Sequence, residues 1–242
     1  MEEVISTIYQ NIFERYELKY LLSADQAMRV KNEISPYMAL DKYGRTTIRN
    51  LYFDTDNYRL IRRSIEKPVY KEKLRIRSYS KAQPNSTVFV ELKKKYKSVV
   101  YKRRVAMTEA QAVKWIIGGQ RDIDETQITR EIDYFISYYG NLRPTVFLSY
   151  EREAYYSIDG GDFRLTFDEN ILARVDKLTL EEDPDGIDMM PTGTVLMEIK
   201  TAGGIPLWMA DILSREHIYK TSFSKYGKAY EKLIYSSIWE AR

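Results

Sequence analysis

Residues 73–77 read Lys-Leu-Arg-Ile-Arg, and this short run decides how the rest of the chain is interpreted. In a β-strand successive side chains point to opposite faces, so the two aliphatic residues share one face and the three cations share the other. The charged face consists of Lys73, Arg75 and Arg77. A half-buried strand with a wet outer face explains the pattern, and so does a strand whose cations point inward at an anion. The remaining strands are needed to distinguish the two.

Composition limits the kinds of site the chain can build. The 242 residues are 44% hydrophobic, which suits one domain spanning residues 1–242, and the net charge is only +3. Any anion site must therefore come from the arrangement of charges and not from their excess. There is no cysteine and a single histidine, His217, which excludes thiolate and multi-histidine metal sites. A bound metal would be a hard cation held by carboxylate and phosphate oxygens.

No targeting segment is recognised at the start of the sequence. Residues 1–17 are acidic and lack a basic stretch followed by an apolar one, so no signal peptide is predicted. No apolar run approaches the length of a membrane span. The sequence therefore predicts a cytoplasmic protein without a membrane span.

Strand-like and helix-like segments alternate along the chain. Ser23 with Gln26, and Thr108 with Gln111, form capping-box patterns that predict helix starts. Further helices are predicted over roughly 126–139 and from Pro206 onward. The predicted strands are 13–22, 47–55, 71–79, 87–95, 98–107, 144–156, 162–170 and 194–201.

Nearly every predicted strand has one aliphatic face and one face that bears Lys or Arg, often with a carboxylate two positions away. A sandwich with cation-rich outer faces fits this pattern. A barrel coated by helices fits better, because the helices have apolar faces that must cover something. We therefore predict an α+β fold: a closed antiparallel β-barrel tunnel of about eight strands with a charged lumen, flanked by helices.

Charges in a lumen are costly unless they meet opposite charge. Many cations with few carboxylates imply a polyanionic ligand and a bridging divalent cation. A polyphosphate chain meets both requirements, since its oxygens accept charge-assisted hydrogen bonds from Arg and Lys.

An ordered set of short motifs carries a resemblance to a known family. The motifs are FERYELKYLLS, LYFDT, LRIRSY, VFVELKKK, VYKRRV, SYERE, FRLTFDENI, LMEIK and FSKYGKAYEK, in this order. Together they resemble the VTC domain, the polyphosphate polymerase module of the triphosphate tunnel metalloenzyme (CYTH-like) superfamily. The resemblance runs from about Phe13 to Tyr230.

The resemblance implies roles for individual residues of the motifs. The implied catalytic residues, which position phosphates and absorb developing charge, are Arg75, Arg77, Lys93, Arg152 and Lys200. The implied phosphate-binding residues are Lys19, Arg75, Arg77, Lys93, Lys102, Arg152, Arg164, Lys200, Lys225 and Lys228. The implied ligands of a divalent metal, Mn²⁺ or Mg²⁺, are Glu198, Glu17 and Glu91.

One departure from the superfamily pattern separates two branches. Triphosphatases of the related CYTH branch begin with Glu-x-Glu-x-Lys, whereas the same strand here reads Arg15, Glu17, Lys19. The cation in place of the first carboxylate favours the polymerase branch and makes Glu17 a less certain metal ligand.

The resemblance implies an ATP-dependent polyphosphate polymerase, with ATP or another nucleoside triphosphate and inorganic polyphosphate or triphosphate as partners. A metal-dependent tripolyphosphatase or nucleoside triphosphatase in the same tunnel, and a non-catalytic polyphosphate-binding module, remain as alternatives. Single-stranded nucleic-acid binding is not favoured, because nothing confines the 21 tyrosines to one basic groove. No nucleic-acid partner is expected.

Overall fold

The computed structural model describes residues 16–97 and 99–236, which form a large antiparallel sheet flanked by helices. The strands are β1 Tyr16–Ser23, β2 Met38–Leu40, β3 Thr46–Asp54, β4 Tyr70–Ser78, β5 Thr87–Tyr96, β6 Val99–Thr108, β7 Arg143–Ser157, β8 Arg164–Arg174, β9 Ile187–Asp188, β10 Thr194–Thr201 and β11 Lys220–Thr221. The helices are α1 Ala24–Glu33, α2 Arg59–Ile65, α3 Glu109–Ile116, α4 Gln127–Tyr139, α5 Leu207–Arg215 and α6 Lys225–Ala229, which continues as a π-helical segment, Tyr230–Tyr235. Residues 13–15 of the first predicted strand lie outside the described residues.

The strand order is β11-β1-β10-β8-β7-β3-β4-β5-β6, with β2 paired to β7 and β9 to β8. Every pairing is antiparallel, and eight of the strands are long, as predicted. The predicted closed barrel is not confirmed, because the order has two ends. β1 and β6 approach each other with Cα atoms within 8 Å, but no backbone ladder joins them in the described part of the chain. The sheet is thus strongly curved and open along one seam.

The aliphatic strand faces point outward, toward the helices. On one side, Leu74 and Val90 pack in a buried cluster with Trp115 of α3 and Ile132 of α4. A second buried cluster joins strand residues of β1, β8 and β10 to α1 and α5. The opposite strand faces, which carry the cations, therefore lie on the concave side. This is the inward orientation that distinguishes the two interpretations of residues 73–77.

A third apolar cluster lies on the concave side itself. It joins Leu148, Ile171 and Leu196 to Ile61 of α2 and Tyr226 of α6. The last helix therefore packs into the curve of the sheet and does not cover its outside. This placement brings the sequence around residue 225 next to the charged surface.

Both predicted capping boxes are present, at Ser23 with Gln26 and at Thr108 with Gln111. Helix α2 was not predicted. It begins after Tyr58, which has φ +57°, and the carboxylate of Asp54 accepts from two of its first backbone N–H groups, at 2.9 Å each. A carboxylate five residues before a helix is not a recognisable sequence signal for a cap.

Among the residues described, no helix is both long enough and apolar enough to cross a membrane.

Candidate functional site

The register of β4, β5 and β6 aligns charged side chains in rows across the concave surface. One row contains a carboxylate between two arginines: Arg75, Glu91 and Arg104. The next row consists only of lysines: Lys73, Lys93 and Lys102. Like charges directly opposite each other destabilise a sheet, so the lysine row weakens the fold unless an anion offsets it. The arrangement is typical of a binding surface and not of a structural one.

Glu91 is the centre of the first charged cluster. Its side chain is 0% exposed, and its Oε2 atom lies 2.7 Å from Nη2 of Arg75 and 3.9 Å from Nε of Arg77. Its Oε1 atom lies 2.6 Å from Nζ of Lys102 and 3.2 Å from Nε of Arg104. One carboxylate thus meets four cations, and this group of five residues is called the Glu91 cluster below.

The Glu91 cluster shifts the protonation of its members. Burial by itself raises the pKa of Glu91, but the surrounding cations, Arg77 foremost, outweigh it and hold the pKa well below its usual range. Burial lowers the pKa of Lys102 to about 7; Glu91 opposes this shift, while the neighbouring arginines add to it. Glu91 is therefore ionised throughout the neutral pH range. Lys102, in contrast, loses its proton, and with it its positive charge, near neutral pH.

The second charged cluster surrounds two carboxylates, Asp168 of β8 and Glu198 of β10. Lys225 of α6 lies between them, with Nζ 2.5 Å from Asp168 Oδ2 and 3.2 Å from Glu198 Oε1. Arg152 donates to both oxygens of Asp168, at 2.5 and 2.6 Å, and its Nη2 atom lies 3.5 Å from Glu198. Lys19 and Lys200 also lie near Glu198, with Nζ atoms 3.4 and 3.8 Å from its carboxylate. This group is called the Glu198 cluster below, and it consists of Lys19, Arg152, Asp168, Glu198, Lys200 and Lys225.

Two lysines of the Glu198 cluster differ in protonation. Burial lowers the pKa of Lys200 to about 8, since Arg152 adds to the desolvation cost and the carboxylates recover only part of it. Burial also disfavours the charge on Lys225, but Asp168 and Glu198 outweigh it and raise its pKa above the usual range. Lys225 is accordingly a permanent charge of the site, whereas Lys200 titrates.

One tyrosine connects the two clusters, and a second contacts the Glu91 cluster. The hydroxyl of Tyr150 accepts from Arg77 at 2.9 Å, and its ring lies below Arg152 and Lys225, which are 5.0 and 4.6 Å from the ring centroid. The hydroxyl of Tyr52 accepts from Arg75 at 2.9 Å. The two clusters are therefore parts of one continuous surface, with aromatic rings between their charges.

Two further lysines of the concave surface differ in their partners among the described residues: Lys73 has no ion pair, and Lys93 has one. Lys73 donates to the hydroxyl of Ser224 at 3.0 Å, and burial together with neighbouring cations lowers its pKa well below the usual range. Lys93 reaches across the open seam to Glu17, at 2.7 Å. Burial alone raises the pKa of Glu17, but Lys93 reverses the shift and brings it to about 2.

The charged concave surface of the described residues is called the basic face below. Its cations are Lys19, Lys71, Lys73, Arg75, Arg77, Lys93, Lys102, Arg104, Arg152, Lys200 and Lys225, and the carboxylates paired with them are Glu17, Glu91, Asp168 and Glu198. Among the described residues, eleven basic side chains face four carboxylates, so the partly buried surface carries a large positive excess once its lysines are protonated. This excess is the property of the site that an anion would neutralise.

Most of the predicted phosphate-binding residues come together on this face, and two do not. Lys228 is exposed and pairs with Glu231 at 2.8 Å, so it points away from the site although Lys225 points into it. Arg164 is exposed at the end of β8, in register with Lys200 and 5.7 Å from the ring centroid of Tyr156, and it belongs to the rim of the basic face.

Of the three predicted metal ligands, Glu17 and Glu198 are neighbours on the paired strands β1 and β10, close enough for Glu198 to raise the pKa of Glu17. Glu91 lies in its own cluster, Glu17 pairs with Lys93, and the carboxylate that shares partners with Glu198 is Asp168. Within residues 16–97 and 99–236, no three carboxylate or imidazole side chains converge as a complete metal site. Asp168 and Glu198 together fit a cation such as Mg²⁺, which takes one or two carboxylates and completes its shell with phosphate oxygens and water.

Sequence reasoning left several members of the basic face out of the candidate site. Asp168, Arg104 and Lys73 have the alternation of a charged inner face, so the signal that identified their neighbours also applied to them. Tyr52 and Tyr150 gave no signal, because an inward tyrosine has the same pattern as a core tyrosine. Arg15, on which the choice between branches depended, lies outside the described residues.

Comparison with known proteins identifies this arrangement. The family model of the VTC domain matches residues 14–234. A search of curated protein sequences found no significant match. The structure resembles a predicted adenylate cyclase from Bacillus halodurans, with a TM-score of 0.58 and 16% identity, covering 92% of this chain and 99% of that one.

Two further solved structures are less similar. A predicted adenylate cyclase from Vibrio parahaemolyticus has a TM-score of 0.45 and 12% identity, covering 89% of this chain and 97% of that chain. The PH1819 protein from Pyrococcus horikoshii has a TM-score of 0.43 and 14% identity, covering 94% of this chain and 99% of that chain.

The Bacillus halodurans structure shows a common fold at low identity. The family model covers nearly the whole sequence, including the strands that carry the charged residues. The chain belongs to the VTC-domain family.

Proposed function

We propose that the protein is an ATP-dependent polyphosphate polymerase, which transfers the γ-phosphoryl group of ATP to the end of a polyphosphate chain and releases ADP. The observation that carries the proposal is the excess of cations on the basic face, eleven against four carboxylates among the described residues. Buried cations without counter-charges are costly, so the fold tolerates them where a polyanion is bound.

The length of the basic face supports a polymer over a single triphosphate. On β4 alone its cations extend from Arg77 through Arg75 and Lys73 to Lys71, six residues apart. At the rise of a β-strand this row is about 20 Å long, longer than one triphosphate. The end near Lys71 is extended on β5 by Lys95, its register partner. A nucleotide bound at the Glu91 cluster leaves the lysine end for an acceptor chain.

The residues of the two clusters fit the requirements of phosphoryl transfer. A terminal phosphate oxygen of the acceptor forms a bond to the γ-phosphorus while the bond to the β–γ bridging oxygen breaks, and the electron pair of that bond stays on ADP. No protein nucleophile is needed, because the acceptor is already anionic. Arg75 and Arg77 position the phosphates of ATP, and Arg152 and Lys200 stabilise the charge that develops during transfer.

A divalent metal, Mg²⁺ or Mn²⁺, fits the carboxylates of Glu198 and Asp168. When bound, it would neutralise phosphate charge and polarise the phosphoryl group. Lys225 and Arg152 hold these carboxylates in place in the described structure, at 2.5 Å each from Asp168. Their function is to orient the carboxylates toward the phosphates and to keep them ionised.

The test is to incubate the purified protein with ATP and Mg²⁺ or Mn²⁺, with and without a short polyphosphate primer, and to follow the products by phosphorus NMR. The proposal predicts a growing mid-chain phosphate signal together with ADP. Arg75→Ala and Glu198→Gln should abolish the signal, while Lys228→Gln, which alters an exposed lysine of α6, should not. ADP and orthophosphate without any polyphosphate would make the protein a triphosphatase. Binding of triphosphate without any turnover would make it a polyphosphate-binding module.

A further inference from the structure

Next to the Glu91 cluster, at the end of β4, lies a group of aromatic side chains that the phosphate chemistry does not use. Tyr79 follows the last residue of β4, and Phe89 of β5 is the register partner of Arg77. The two rings meet edge to face, with centroids 5.6 Å apart. Together with Arg104 they are called the rim shelf below.

Arg104 connects the rim shelf to the phosphate-binding surface. Its guanidinium lies over the Phe89 ring at 3.6 Å from the centroid and donates to the Tyr79 hydroxyl at 2.7 Å. Its Nε atom also lies 3.2 Å from the Glu91 carboxylate. The same side chain therefore belongs to the charged cluster and to the aromatic group, and it fixes their relative position.

The rim shelf is exposed to solvent, whereas the centre of the Glu91 cluster is buried. Tyr79 is 42% exposed, whereas Glu91 is fully buried and Arg77 nearly so. An exposed tyrosine ring beside an arginine plane is a stacking surface for a flat aromatic group. Tyr79 lies two residues beyond Arg77 along the chain, so the shelf is next to the place where phosphates at Arg75 and Arg77 would lie, at the end away from Lys73.

We propose that the rim shelf binds the base of the nucleoside triphosphate, by stacking against Tyr79 beside Arg104. This assignment rests on the proposed function, because it places the triphosphate on the Glu91 cluster. The Tyr79 hydroxyl accepts from Arg104 and has a single O–H left to donate, so stacking is the main contact that this residue offers a base. Recognition by stacking does not read base edges, so adenine and guanine nucleotides bind alike.

A second aromatic–arginine pair provides the competing location. Tyr156 is 39% exposed, and the guanidinium of Arg164 lies 5.7 Å from its centroid, on the side of the site that includes Lys200. That pair has a single ring, and Arg164 has no ion-pair partner among the described residues. The rim shelf has two rings and an arginine fixed by a carboxylate, so it is the better-ordered stacking surface.

The experiment compares ATP with inorganic tripolyphosphate, which has the phosphates but no base, as ligands of the purified full chain in titration calorimetry. Tyr79→Ala is expected to weaken ATP binding about tenfold, the lower part of the range for base–aromatic stacking, and to leave tripolyphosphate binding within about twofold. Tyr79→Phe keeps the ring and should bind ATP nearly as the unaltered protein does. Melting temperatures of both variants verify that they are folded.

Three results would overturn the assignment. In the first, Tyr79→Ala weakens the binding of ATP and tripolyphosphate equally, or weakens neither. In the second, Tyr156→Ala causes the selective loss of ATP affinity instead. In the third, the unaltered protein does not bind ATP. Failure of the proposed function is recognised separately, in the NMR assay. If Tyr79→Ala loses only ATP affinity while the unaltered protein makes no polyphosphate, the base site is supported and the polymerase activity is not.

Discussion

The Nζ atom of Lys225 lies 2.5 Å from Oδ2 of Asp168, so a residue of the last helix is part of the charged centre of the sheet. Lys225 is 8% exposed and also contacts Glu198, while Lys228, one turn later, is exposed. The two lysines therefore form a matched pair for mutagenesis: the same residue type on the same helix, one inside the site and one outside.

Lys225→Gln is expected to destabilise the protein by about 3–5 kcal/mol, because it leaves two buried carboxylates short of a counter-charge. Lys228→Gln should change the free energy of unfolding by less than about 0.5 kcal/mol, as is usual for exposed substitutions. Denaturant unfolding of both variants measures the difference. Equal effects would show that Lys225 is not a buried charge of the site.

Glu91→Gln leaves Arg75, Arg77, Lys102 and Arg104 without their shared carboxylate. Without ligand, the variant should lose about 3–5 kcal/mol of stability through repulsion among uncompensated cations. Tripolyphosphate should stabilise the variant more than the unaltered protein, because the ligand supplies the missing negative charge. Melting curves with and without tripolyphosphate test this. A smaller ligand effect in the variant would contradict the role of Glu91 as the shared counter-charge of these four cations.

Triphosphate binding should take up protons at pH 8. Burial lowers the pKa of Lys102 to about 7 and that of Lys200 to about 8, so without ligand the first is largely neutral at pH 8 and the second partly so. Bound phosphate favours the charged forms, raises both pKa values and therefore draws in protons. Affinity should accordingly fall as the pH rises above 7.

Calorimetry in buffers of different ionisation enthalpy measures the number of protons taken up. In Lys102→Arg the side chain is charged with or without ligand, so this variant should take up fewer protons at pH 8. The proton uptake that is due to Lys200 should remain. Unchanged uptake in this variant would mean that Lys102 is already protonated in the unoccupied site.

Asp54 is expected to be important for stability although it makes no contact with the charged clusters. Its carboxylate accepts from the backbone of Leu60 and Ile61 at the start of α2 and from the hydroxyl of Tyr226 at 2.9 Å. Asp54→Ala should cost about 2 kcal/mol or more, through loss of a helix cap and of a buried hydrogen bond. Tyr226→Phe, which removes only the hydroxyl, should cost about 1 kcal/mol. Denaturant unfolding of the two variants provides the comparison.

Alternation along single strands was sufficient to predict which cations share a face. The run at residues 73–77 and the similar runs in β5 and β6 have the predicted inward orientation, since their aliphatic partners pack under α3 and α4. The capping boxes located α1 and α3 for an equally local reason. These features depend on residues within a few positions of each other, which is why the sequence shows them.

Features that depend on distant residues were not accessible in the same way. The contacts of Glu91 with Lys102 and of Asp168 with Lys225 depend on strand register and on the docking of α6, which no local pattern specifies. Lys225 and Lys228 are three residues apart, which predicts one helix face. Both lie in α6, and of the two only Lys225 points inward, toward Asp168 and Glu198. Closure of the barrel was also predicted, but the seam between β1 and β6 depends on whole-sheet curvature.

The amino group of Lys19 donates to the backbone carbonyl of Phe223 at 2.7 Å, which joins the first described strand to the segment that leads into α6. The site is therefore shared between two stretches more than two hundred residues apart in the sequence. A ribosome makes the strands with the phosphate-binding arginines long before it makes Lys225, and domains fold from the N-terminal side as they emerge. Until Lys225 has been made and α6 has docked, the growing chain lacks the ammonium group that lies between Asp168 and Glu198, and the site stays incomplete.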